Sequence, residues 1–336
     1  MKLPMPRGPV SAQLIRALGR APHDLDPGYV ETPPTATTAG LADDDLQLTL
    51  FVLYELAYRG WDGVDDRWEW QPDLIRLRTA AENRFEAALR VLTAPHHDAV
   101  PEQLSAASIA RRLVTMTEED GPSLSEHLRR RATLRQFREF AAHRSVYHLR
   151  EADPHTFAIP RLSGRAKAAL IEIQIDEYGG GQVRRMHQEL FRHTLTALDL
   201  DATYGAYVEV APALTLATNN LMSLFGLHRR RRGALLGHLA AYEMTSTGPN
   251  QAYGSGLRRL GGDVDATRFY DEHVEADAVH EQIAAYDMCG SFCVAEPDLA
   301  ADVLFGARCA LALGAMWATS VLSHWDRGES SLLGFV

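Results

Sequence analysis

Apolar residues in this chain recur every three or four positions, and almost nowhere do they alternate with polar ones over five residues. That spacing is the stripe of an amphipathic helix, and it leaves little room for half-buried strands. The acidic run Asp43-Asp44-Asp45 precedes Leu46, Leu50, Leu53, Tyr54 and Ala57, the pattern of a helix start. A second helix follows Pro72 through Leu74, Leu77, Ala81, Phe85, Leu89 and Leu92. Further stripes predict helices over 106–116, 125–148, 165–177, 184–198, 212–225, 232–244, 263–288 and 297–325. The chain reads as all-α. Residues 1–42 are rich in Pro, Thr, Ala and Gly and lack a stripe except near residues 14–18. They are expected to form an irregular N-terminal tail, residues 43–122 a helical N-terminal extension, and residues 123–336 the main domain.

Composition narrows the function. Of 336 residues, 46% are hydrophobic and 23% charged, so the chain can bury a core. The net charge of −10, from 34 basic and 44 acidic residues, argues against nucleic-acid and anionic-membrane partners. Cys289, Cys293 and Cys309 cannot make a disulfide framework and fit a reducing, cytoplasmic setting. The longest uncharged runs read as too short or too interrupted to span a membrane, since residues 210–227 contain Pro212, Asn219 and Asn220. The N-terminus has no apolar segment of the signal-peptide kind. The 14 histidines point toward metal.

Three local patterns carry that chemistry. His273-x3-Asp277-x2-His280 places three side chains within roughly 60° of one another on a helix, over about 10 Å of axis. That span suits two metal ions better than one, and imidazole with carboxylate is a ligand set for Fe, Mn or Zn. The same residues could equally be a solvated acidic face. Glu177 and His187 would lie about 15 Å apart on a straight helix. Gly179-Gly180-Gly181 breaks that helix and can swing the two toward one point, although an ordinary turn has the same composition. Glu151 ends a helix just before Pro154, with Glu139 as the competing acid. No Glu-x-x-His pair occurs in duplicate, which argues against a ferritin-like bundle. Glu243 sits on an apolar helix and is a seventh ligand, a partner for a substrate amine, or a core acid.

Taken together, Glu151, Glu177-x9-His187 and His273-x3-Asp277-x2-His280 resemble the haem-oxygenase-like diiron oxidases and oxygenases, in particular the branch of iron-containing redox enzymes. The resemblance covers roughly residues 46–330. It implies a haem-oxygenase-like, thiaminase II-like helical bundle with an N-terminal helical extension. It also implies two Fe ions (Fe2+/Fe3+), O2 as co-substrate, and oxidation of a small amine, amino-acid-like or carboxylate substrate. N-oxygenation, desaturation and oxidative C–C cleavage are the outcomes known in that family. By the same resemblance Glu177 bridges the irons, Glu151, His187 and His280 complete one, and His273 and Asp277 hold the other. Asp176, Glu275 and Tyr178 are then acceptors for the ligand imidazoles. An electron donor such as a ferredoxin or a reductase is implied as a partner, and the N-terminal helices could serve a homodimer.

Two other functions compete. A metal-free, thiaminase II-like hydrolase on the same bundle would need a nucleophilic cysteine. A non-catalytic helical protein would hold iron only as structure or store. The run Arg229–Arg231 continues into Arg232 and reads as a solvated loop or a set of salt-bridge partners. Trp61, Trp68 and Trp70 read as core anchors. The glycine-rich stretch 248–256 follows a helix and makes no phosphate loop.

Overall fold

The structure, a computed structural model, describes residues 1–25, 37–96, 98–119 and 121–334, apart from the side chains of 276–278. No strand occurs among the described residues. The helices run α1 (Pro9–Leu18), α2 (Asp44–Glu55), α3 (Pro72–Thr93), α4 (Ala106–Thr117), α5 (Leu124–Arg130), α6 (Leu134–His148) and α7 (Asp153–Thr156). They continue with α8 (Gly164–Glu177), α9 (His187–Ala197), α10 (Ala213–Leu227), α11 (Arg232–Arg259), α12 (Val264–Gln282), α13 (Ser291–Ala295) and α14 (Ala300–Asp326). A π-helical segment, Ile283–Gly290, joins α12 to α13.

The long helices α11 and α14 form the spine. Their close approach depends on two glycines: a Cβ at Gly237 would run into the Val303 carbonyl, and one at Gly306 into the backbone of Ala234. One apolar cluster joins Leu50 of α2, Phe85 of α3 and Leu113 of α4 to Leu170, Leu239 and Leu313. The 43–122 stretch therefore shares its core with the rest of the chain.

Four local departures from the sequence pattern have physical causes. The expected tail carries α1, whose Leu14 and Leu18 are fully buried beside Phe51. Its N-terminus is capped from a distance: Asp45 accepts from the amides of Val10 (2.9 Å) and Ser11 (2.7 Å), a contact that local sequence cannot show. The single helix expected over 125–148 is split, because Thr133 and Gln136 form a reciprocal capping box that starts α6 afresh. Conversely, α11 runs past residue 244 and through Pro249 to Arg259. Tyr253, Gly254 and Leu257 are buried there, and Gly256 packs on the Leu128 backbone, so tertiary contact offsets the hydrogen bond that proline removes. The helix expected over 263–288 passes into the π segment after Gln282.

Other features settle into structural roles. Arg230 and Arg231 pair with Glu86, Arg231 also with Asp302, and Arg232 with Glu296. Trp61 and Trp68 are buried and donate to the carbonyls of Val52 and Arg20, while Trp70 is exposed. By length and composition the stretch Pro297–Asp326 could cross a membrane, and it is the one such stretch among the described residues. About half of it is buried in the bundle, and Asp302 and Arg308 are among its buried residues, which is also how a core helix looks.

Gly306→Ala is expected to lower stability by about 1–3 kcal/mol through overpacking at the spine, read as a fall in Tm with unchanged helical circular dichroism. His143 generates a second expectation. It is buried with Nδ1 2.6 Å from Thr215 Oγ1 and Nε2 3.0 Å from Ser331 Oγ. Burial, with Arg144 and His324 adding, pushes its pKa down to about 3. The unfolded chain takes up that proton near pH 6.5, so this stability is fully present above 6.5 and is lost as pH falls toward 3, at about 1.4 kcal/mol per pH unit. Urea unfolding from pH 7 to pH 4 should therefore show a flatter pH dependence for His143→Gln; identical slopes would refute the assignment.

Candidate metal centre

Several of the acids and imidazoles of interest sit at or near a break in a helix. Glu151 follows the end of α6, and Glu177 is the last residue of α8. The chain then turns through Gly179, Gly180 and Gly181, all with positive φ (61°, 60° and 77°). Such a turn costs little only for glycine, and a Cβ on Gly179 would also strike the backbone at Arg185 and Met186. The reversal puts His187, the first residue of α9, with Nδ1 3.2 Å from Glu177 Oε1. The fifteen-ångström gap of a straight helix is gone.

From α12, His273 enters the same space. Its ring centroid lies 4.3 Å from those of both His187 and Phe269, with the planes tilted by 49° and 50°. Glu151, Glu177, His187 and His273 each offer one ligand atom, and these four atoms lie within 4.8 Å of one another. His280, two turns along α12, completes a neighbouring pair: Nδ1 is 3.3 Å from Glu243 Oε2 and Nε2 is 2.9 Å from Asp176 Oδ2. Glu243 interacts electrostatically with Glu177 and His273, so the two groups adjoin. Asp277 lies in α12, but its side chain is outside the described residues.

Hydrogen bonding fixes which imidazole nitrogens face the acids. His273 Nδ1 is 2.8 Å from the Phe269 carbonyl and must donate to it. Its Nε2 then turns toward Glu151 Oε1 at 3.7 Å. Asp176 likewise claims the Nε2 hydrogen of His280, turning Nδ1 toward Glu243. In both places one acceptor confronts another, an arrangement that calls for a proton or a cation between them. Glu151 Oε2 and Glu177 Oε2 are buried with no hydrogen-bond partner among the described residues. Two orphaned carboxylate oxygens in an apolar bundle are costly. The donor set of carboxylates and imidazoles fits iron.

Local electrostatics point the same way. Burial works to raise the pKa of Glu151, but His148 and His273 outweigh it and hold the carboxyl well below its usual range. Burial lowers His187, and Glu177 more than reverses that. Burial raises Glu243, assisted by Glu177 and opposed by His280. Burial lowers His148 to about 4, so its ring is neutral at pH 7, with Nδ1 3.0 Å from Glu151 Oε1.

The structure also sorts the alternatives. Glu139 is a structural acid: it accepts from Trp325 Nε1 and from the Ser331 amide and hydroxyl. Of the three acceptors expected behind the imidazoles, Asp176 takes the role. Glu275 is exposed, and Tyr178 donates instead to Asp153. Glu243 pairs with His280 and is not an isolated core acid. Sequence reasoning missed His148, which braces Glu151; its one visible sign is the His-x-x-Glu spacing at the end of α6. A cavity of about 700 Å³ reaches this centre, lined near it by His148, Glu151, Glu177, Glu243 and His273.

An all-α bundle that buries acids and imidazoles from separate helices around one point is the architecture of a non-haem metalloprotein. The particular class follows from comparison: the family model of iron-containing redox enzymes matches residues 138–315, just over half of the chain. The protein therefore belongs to that family and has its haem-oxygenase-like, all-α fold. It is also similar to nitrosourea synthase of Streptomyces achromogenes subsp. streptozoticus, 26% identical over 136 residues, which is 40% of this chain and 29% of that protein. The match thus spans less than a third of the relative's length.

Replacing Glu177 or His280 by alanine is expected to remove iron from one or both positions while leaving the helical circular dichroism nearly unchanged. Full iron content in both variants, by plasma mass spectrometry, would take these residues out of the centre.

Proposed function

We propose that the protein is an O2-activating non-haem diiron oxidase or oxygenase acting on a small amine, amino-acid-like or carboxylate substrate. The observation that carries this reading is the pair of buried, unpartnered oxygens, Glu151 Oε2 and Glu177 Oε2, at the end of a substrate-sized cavity. Glu151, Glu177, His187 and His273 would hold one iron or share in both, with Glu243, His280 and Asp277 completing the second position. Bound there, a pair of irons supplies the electrons and Lewis acidity for O2 chemistry.

The chain's own residues do the remaining work. Glu177 lies 3.2 Å from His187 and interacts electrostatically with Glu243, so it would help to hold metal from both groups. His148 and the Phe269 carbonyl fix the orientations of Glu151 and His273. Phe191 and Phe269 pack on the His148 ring at 4.7 Å and keep that side of the centre dry. The name of the relative, a synthase of nitrosoureas, favours oxidation at nitrogen among the outcomes open to such a centre.

The thiol-dependent hydrolase is disfavoured. Cys289, Cys293 and Cys309 are all buried, burial pushes their thiols up (Cys293 to about 12), and none lines the cavity.

Anaerobic Fe2+ loading is expected to give about two irons per chain. Exposure to O2 with a panel of amino acids should then give mass shifts in a substrate, detected by mass spectrometry. Protein that binds no iron, or that binds it and consumes O2 no faster than free iron, would sink the proposal.

A further inference from the structure

Two arginines line the cavity, and they differ in one respect. Arg308 is saturated: it donates to both oxygens of Asp98 and both of Glu119, at 2.6–2.9 Å. Arg144 has no carboxylate partner among the described residues. Its guanidinium instead lies over the rings of Trp317 (5.0 Å) and Phe140 (5.8 Å), with Tyr253 as a hydrogen-bonding neighbour. Its Nε is buried without a hydrogen-bond partner. A guanidinium stays charged at any working pH. Held by aromatic faces, with Glu151 acting on it only electrostatically and no carboxylate at salt-bridge distance among the described residues, it has room to take an anion.

We infer that Arg144 is a carboxylate-binding subsite that orients the substrate toward the metal centre. The inference rests on the proposed function for what happens at the other end of the cavity, but not for the anion site itself. Position supports it. Arg144 is one helical turn, about 6 Å, before His148 on α6, both line the cavity, and His148 touches Glu151. A molecule held by an anion on Arg144 therefore shares one cavity with the centre. Charge supports a carboxylate over a phosphate. One guanidinium without a salt-bridge partner among the described residues matches one negative charge, and the cavity wall also carries the carboxyl groups of Glu119, Glu151, Glu177 and Glu243, an acidic setting that disfavours a doubly charged ligand. The planar fork matches a carboxylate in two parallel hydrogen bonds.

Calorimetric titration tests this with L-norleucine, L-lysine, L-arginine and hexanoate, each against its own primary carboxamide, on both iron-loaded and metal-free protein. At least one carboxylate is expected to bind about ten- to a hundredfold more tightly than its amide, as a charge-assisted pair requires. Arg144→Gln should lose that preference while retaining the iron content of the parent, and Arg144→Lys should keep part of it. No carboxylate preferred over its amide in the unmodified protein would overturn the proposal, and that comparison stands even if the variants fail to fold. A preference that survives Arg144→Gln and vanishes when the metal is removed would place the carboxylate on the metal, which also overturns it. Absence of iron with the carboxylate preference intact would instead defeat the diiron reading alone.

Discussion

Burying a carboxylate inside a helical bundle is the constraint that organises this molecule. Glu151, Glu177 and Glu243 all lie in its interior, where an isolated charge is penalised heavily. Each is met by an imidazole: His148 and His273 at Glu151, His187 at Glu177, and His280 at Glu243. His273 and His280 each spend one ring nitrogen outward, on a carbonyl or on Asp176, and turn the other toward the acid they face. Glu151 and Glu177 nevertheless each keep one buried oxygen without a hydrogen-bond partner among the described residues, a need that divalent cations would meet.

The geometry of the centre comes from interruptions of helices more than from the helices. Glu151 follows one helix, Glu177 ends another, His187 begins a third, and His280 stands just ahead of the π segment. A side chain at a helix end can approach a neighbouring element more steeply than one on the flank. The positive-φ glycine turn does this most plainly, converting ten residues of sequence into a 3.2 Å contact. The π segment adds a residue to the turn beside His280, a device frequent at functional sites. Since these breaks come from three distant stretches of chain, the centre exists only once the bundle has closed.

This explains which parts were legible in the sequence. The helices were visible because burial on one face imposes a 3.6-residue period. His273 and His280 were visible because a helix converts spacing into direction; Glu177 and His187 were marked only by a glycine break that an ordinary turn would share, and it took the resemblance to join them. The rest depends on contacts between elements. Asp45 caps α1 from 34 residues away, Gln136 and Thr133 break a stripe that looks continuous, and packing carries α11 across Pro249. His148 and Arg144 belong to the same category. One matters because of the acid it meets and the other because of the acid it does not, and neither fact is written locally.

The continuation of α11 past Pro249 has a consequence for the cavity. Tyr242 and Tyr253 are eleven residues apart, three turns with only about 20° of drift, so they share a face over about 16 Å of helix. Both line the cavity, as do Glu243, Thr245, Ser246, Pro249 and Asn250 between them. A helix that stopped at residue 244, as the turn-rich sequence suggests, would supply the acid Glu243 but no wall beyond it. The proline therefore sits where the helix passes from the metal end, at Glu243, to the end lined by Tyr253, Trp317 and Arg144. One unbroken element fixes the separation between those two ends. That rigidity is what a site needs if it is to hold a substrate by one group and present another to the centre.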